Sequence, residues 1–111
     1  MSAGFVPHVL ELLSGLGRLE AKKMFGGYGV YCDGHFIAIV LDAMLYLKTD
    51  AQSRPRFVRA RLPQFEYSRK GKRAALNFYR APADALESPE LAREWAREAL
   101  GAALRAPKRS R

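Results

Sequence analysis

The hydrophobic pattern changes period several times along the chain, and each change marks an element. Phe5, Val6, Val9, Leu10, Leu13 and Leu16 recur at helical spacing, which predicts a helix over about residues 4 to 14, ended by Gly15 and Gly17. Arg18–Lys23 reads as a polar lead-in. Phe25–Cys32, His35–Leu41 and Met44–Lys48 are short apolar runs rich in aromatic and β-branched residues. Asp33-Gly34 and Asp42-Ala43 punctuate them, and Asp-Gly is a strong hairpin signal because a type I′ turn needs φ > 0 at both central positions. Met24–Asp50 is therefore an antiparallel three-strand meander. In its middle strand, alternation sets Phe36, Ala38 and Val40 on one face and Ile37, Ile39 and Leu41 on the other.

A second helix is expected over Ala51–Leu62, with Ser53 as its cap, Pro55 in its first turn and Phe57, Val58 and Leu62 as anchors. Phe65–Arg69 and Lys72–Arg80 form a hairpin about Lys70-Gly71. Residues 82–87 suit a short helical turn. Ser88-Pro89-Glu90 opens a final helix, whose apolar stripe includes Leu91, Ala92, Trp95, Ala96, Ala99 and Leu104. Glu90/Arg93 and Glu94/Arg97 stand at i,i+3 on its polar side. The fold class that follows is α+β: an antiparallel sheet of about five strands packed with helices, in the order α-βββ-α-ββ-α. Residues 1–105 form one domain, and 106–111 a flexible basic tail.

Composition narrows the function classes. The chain has 111 residues, enough for one core. No apolar run reaches the length needed to cross a bilayer, and the first residues lack the basic and apolar regions of a secretion signal. A single cysteine, Cys32, permits no internal disulfide. These features set the expectation of a cytoplasmic location, away from the membrane. The formal charge of +8 is concentrated: residues 54–80 hold nine basic groups against Glu66 alone. A localised positive field draws anionic partners without choosing among them.

Candidate chemistry is sparse. Gly26, Gly27 and Gly29 lie in strand-like sequence with no helix after them, unlike a phosphate loop, and read as bulge or close-approach positions. Cys32 and His35 flank the Asp33-Gly34 turn, but nucleophilic catalysis needs a positioned base, an orienting group and an oxyanion site as well. One Cys and two His have no metal-ligand spacing. No catalytic residue, cofactor or metal is assigned. The one constellation with a functional reading is the basic surface of Arg59, Arg61, Arg69, Lys70, Lys72 and Arg73, with aromatic residues interleaved. It reads as a solvated face or a surface for an acidic protein partner ahead of a nucleic-acid site.

Met24-Phe25-Gly26-Gly27-Tyr28-Gly29, Asp33-Gly34, Leu45-Tyr46-Leu47-Lys48, Arg54-Pro55-Arg56-Phe57, Lys70-Gly71-Lys72, Ala81-Pro82 and Trp95-Ala96 together resemble the N-terminal domain of the TfoX/Sxy family. The likeness runs over roughly residues 15 to 104. Ala43 departs from it, since the family more often has Gly there. The resemblance implies a bacterial, competence-regulator-like protein: a non-enzymatic regulatory and interaction domain, in a stand-alone form without the family's C-terminal domain. It implies an accessory role in transcription regulation and a protein partner in the transcription machinery or among its regulators. The rival readings are direct nucleic-acid binding through the basic 54–80 surface and an unrecognised small-ligand binder or enzyme. Oligomeric state is left open.

Overall fold

The computed structural model describes residues 4–24, 26–69 and 71–106, with the side chains of 69 and 72–74 left aside. The chain opens with helix α1 (Phe5–Leu12) and a 3-10 turn (Ser14–Leu16). Four strands follow: β1 (Leu19–Met24), β2 (Gly27–Cys32), β3 (His35–Leu41) and β4 (Met44–Lys48). Helix α2 (Arg54–Arg59) leads to the hairpin β5 (Gln64–Arg69) and β6 (Lys72–Arg80). A second 3-10 turn (Ala83–Glu87) precedes the long helix α3 (Pro89–Arg105). All strands join one antiparallel sheet in the order β1-β2-β3-β4-β6-β5. The architecture is α+β, as expected, with six strands rather than about five.

The added strand is the segment that looked like a polar lead-in. Leu19, Ala21 and Met24 are half-buried, whereas Glu20, Lys22 and Lys23 are exposed. Strand β1 lies at the sheet edge, where charged side chains guard against pairing with other chains. With so little apolar sequence its alternation is faint. It is joined to β2 through position 26, where Gly26 has φ +81°, so this glycine serves a turn rather than a strand. Gly27 and Gly29 do mark close approach: a Cβ at Gly27 would collide with the Val40 carbonyl oxygen, and one at Gly29 would sit 2.6 Å from the Met24 methyl.

Both meander turns have left-handed backbone at their two central positions: Asp33 and Gly34 at φ 50° and 85°, Asp42 and Ala43 at 53° and 58°. Ala43 thus holds the geometry that favours glycine.

Strand β3 departs from simple alternation. Val30 pairs with Ala38, but Tyr31 pairs with Phe36, so one extra residue, Ile37, is inserted into β3. This bulge moves Ile37 to the side of Ala38 and Val40 and sends Phe36 to the side of Ile39.

The helices cover one face of the sheet. There Val30, Cys32, Ile37, Ala38, Leu45, Leu47 and Tyr79 pack with Val9, Leu12 and Leu13 of α1, Phe57 of α2 and Ala92, Ala96 and Ala99 of α3. The alanines let α3 lie close to the sheet. The opposite face carries Ile39, Phe65 and Phe78, edged by Phe36, Leu41, Tyr46, Tyr67 and Leu76; no residue of a described helix joins this cluster.

Helix α2 is shorter than its pattern suggests. Residues 51–53 form turns, and Asp50 serves the start of the helix: its Oδ1 accepts from the Gln52 and Ser53 N–H groups, while Ser53 Oγ accepts from the Asp50 N–H. Ser53, the expected cap, instead supports the capping carboxylate. Val58, an expected anchor, is 54% exposed, because six residues offer too little surface for a second buried row. Helix α3 begins as read, with Ser88 Oγ accepting from the Leu91 N–H. Its last expected stripe residue, Leu104, is exposed. The tail positions 107–111 lie outside the described residues.

Candidate interaction surface

The arginines of the basic segment fall into two groups. Arg56 is structural. Its Nη2 and Nη1 pair with Glu94 and Glu98 at 2.6 and 2.9 Å, and its guanidinium lies 4.2 Å from the Trp95 ring centre. It therefore clamps α2 to α3, and Glu94 partners Arg56 rather than the Arg97 expected from helical spacing. Trp95 is half-buried under this guanidinium and meets Phe57 edge-on at 5.0 Å. Arg54 reaches Asn77 Oδ1 at 3.4 Å.

Arg59 and Arg61 are different. Both are exposed at the C-terminal end of α2, and neither has an ion pair among the described residues. Arg61 stands at φ 60°, just past the helix. Its N–H donates to the Val58 carbonyl while the Leu62 N–H donates to the Phe57 carbonyl. This closing motif ordinarily uses glycine at the Arg61 position. Of the other predicted basic residues, Lys70 and the side chains of Arg69, Lys72 and Arg73 lie outside what is described; their backbone places 69, 72 and 73 at the tip of the β5/β6 hairpin.

A further polar cluster joins α3 to the start of α2. Arg105 donates to both Asp50 oxygens, at 2.8 and 3.0 Å. These bonds hold the Asp50 carboxyl well below the usual carboxylate range, against some opposing burial. The pair lines a groove of about 450 Å³ with Lys48, Thr49, Asn77 and Phe78. Beside the glycines of β2, Lys23, Met24, Gly26, Gly27 and Tyr28 line an open depression of about 380 Å³.

The remaining chemical groups have structural surroundings. Cys32 is buried against Gly17, and burial, with the Asp33 carboxylate, pushes its thiol up from the ordinary value. This favours the unreactive protonated form. His35 pairs with Cys32 in register but is exposed. His8 Nε2 lies 2.8 Å from the Leu86 carbonyl oxygen, tying α1 to the turn before α3. Among the described residues no group of three or more His, Cys, Asp or Glu could hold a metal ion.

Sequence reading missed the helix-free face of the sheet as a surface with its own chemistry. Tyr31 stacks on Phe36 at 5.1 Å, Phe36 meets Phe78 at 5.4 Å, and Tyr46 meets Phe65 at 4.7 Å. Cations from three strands lie against these rings: Lys22 over Tyr31 at 4.9 Å, Lys48 over Phe36 at 5.9 Å and Arg80 over Tyr46 at 6.0 Å. The available signal was alternation within each strand. Strand order and the Ile37 bulge were needed to bring those positions together.

No described helix is long and apolar enough to cross a membrane. Protein Sxy of Escherichia coli (strain K12) is 34% identical over 70 residues, which cover 63% of this chain and 34% of that protein. The chain thus spans about a third of the length of that curated relative. Residues 11–103 match the TfoX N-terminal domain, and with most of the α+β unit inside that match, the chain belongs to the TfoX N-terminal domain family.

Proposed function

We propose that this chain is a TfoX-like regulatory domain that acts by binding rather than by catalysis, as an accessory regulator of transcription. Its family and its likeness to Sxy support a regulatory role. Its partner is a protein with an acidic surface, in the transcription machinery or among its regulators. The observation that carries this reading is the contrast among the α2 arginines. Arg56 is engaged by Glu94 and Glu98, while Arg59 and Arg61 face solvent with no ion pair among the described residues. Exposed cations of this kind act chiefly on encounter rate and orientation.

The test replaces the chromosomal copy by an Arg59→Glu/Arg61→Glu variant and compares transcript profiles with wild type and a deletion. The variant is expected to reproduce the deletion's changes, and in-cell crosslinking is expected to lose a defined protein partner. A deletion that alters no transcripts would overturn the regulatory reading. A second reading places duplex nucleic acid on Arg59, Arg61 and the Arg69, Lys70, Lys72 and Arg73 hairpin tip, supported by the same exposed guanidiniums. It requires duplex retention that weakens steeply with salt, and a shallower salt slope in the charge-reversed variant.

A further inference from the structure

The helix-free face of the sheet combines three features that packing alone does not account for. It presents aromatic rings from neighbouring strands, with Tyr31, Phe36 and Tyr46 half-buried rather than sealed. A cation from β1, β4 or β6 rests against each of these three rings. Arg80, the cation beside Tyr46, has a buried Nε with no hydrogen-bond partner among the described residues. A cation on a ring can simply shield an exposed aromatic edge. A buried guanidinium N–H without an acceptor is a different matter, because such a group loses hydration and gains nothing in return.

We propose that this face is a platform for single-stranded nucleic acid, in which bases replace the cations on the Tyr31, Phe36 and Tyr46 rings while Lys22, Lys48 and Arg80 swing to the flanking phosphates. Unpaired bases expose π-faces that aromatic side chains can stack against in any sequence, and an antiparallel sheet face of this width accommodates about two or three of them. A duplex keeps its bases stacked internally and offers the rings nothing comparable. A second copy of this chain is a poorer occupant, since self-pairing would set the same three cations against one another. Glu20, opposite Tyr31 in register, shares the face with Lys22 by alternation; the cations outnumber it. This site lies apart from Arg59 and Arg61, and the inference goes beyond the acidic-protein reading without depending on it.

The experiment measures fluorescence anisotropy of an end-labelled oligothymidylate of about 15 nucleotides, and of a duplex of equal length, against the whole chain over a salt series. Single-strand binding is expected to exceed duplex binding. Tyr31→Leu and Tyr46→Leu, which keep apolar bulk but remove the ring, are each expected to weaken it about tenfold. Lys22→Gln with Lys48→Gln should make the log–log salt slope shallower by about 1.4. Lys22 is exposed, so Lys22→Gln alone, with a slope change of about 0.7, decides the matter should either leucine variant fail to fold. Arg59→Glu/Arg61→Glu should retain the single-strand preference. Equal affinity for duplex, loss confined to the Arg59/Arg61 variant, or no oligonucleotide binding at low salt would each overturn the platform. Those results would leave the transcript test of the regulatory reading intact, as that test turns on Arg59 and Arg61.

Discussion

The two faces of the sheet are built from different materials. Under the helices, aliphatic side chains and alanines interlock, and Val9, Leu13, Val30, Ile37 and Phe57 are fully buried. On the other face, large rings cover one another and cations lie against them, leaving Tyr31, Phe36 and Tyr46 half-buried. The first arrangement removes the most apolar surface from water. The second gives up part of that burial and leaves polarizable rings and charge at the surface. Close aliphatic packing and open aromatic surface thus lie on opposite sides of one sheet.

The sharpest way to break this contrast is by truncation on each side. Phe57→Ala removes a fully buried ring that contacts both Tyr79 and Trp95, and should cost about 3–5 kcal/mol in urea unfolding. Phe36→Ala on the other face should cost less, about 1–2 kcal/mol, because its ring is only half-buried. Equal losses would refute the division. Next comes the clamp between helices. Arg56→Ala removes two ion-pair contacts and the guanidinium against Trp95. Its expected cost is about 1–2 kcal/mol, discounted for partial exposure. A double-mutant cycle with Trp95→Leu would reveal coupling between the two side chains.

Backbone strain gives a smaller effect of opposite sign. Ala43→Gly relieves a left-handed alanine and should raise stability by about 0.5–1 kcal/mol, read as a higher urea midpoint. Arg61→Gly should gain similarly while removing a cation from the proposed protein contact, separating stability from function at one position. Smallest is the pH response of Asp50. Its folded-state pKa lies below the unfolded value, so its contribution is complete above the ordinary carboxylate range and is lost as pH falls through the folded pKa. Asp50→Asn should flatten the acid limb of a stability-versus-pH curve. An unchanged acid limb would show that the Arg105 pair contributes nothing.

Several features were legible in the chain alone because their causes are local. Asp33-Gly34 specifies its turn through backbone conformation at two adjacent residues. Ser88-Pro89 starts α3 through a hydroxyl three residues from the N–H it accepts from. The α+β class follows from periodicities that each element states for itself. Arg61, by contrast, stands four residues from Phe57 and falls near the apolar arc by helical spacing; it is exposed because the helix ends at Arg59 and the backbone turns left-handed at Arg61. What escaped was non-local. The polar edge strand Leu19–Met24 gains its identity from pairing with β2, and Ile37 becomes a bulge only because β2 opposes it. Arg56 is recognisable as a clamp only once α3 brings Glu94, Trp95 and Glu98 to it. Lys22, Lys48 and Arg80 stand far apart in sequence and share a surface through strand order. The sequence by itself determined the turns, caps and apolar periods, which depend on neighbours within a few residues. The tertiary structure decided which charges are neutralised and which rings remain open, because both depend on what long-range pairing places beside them.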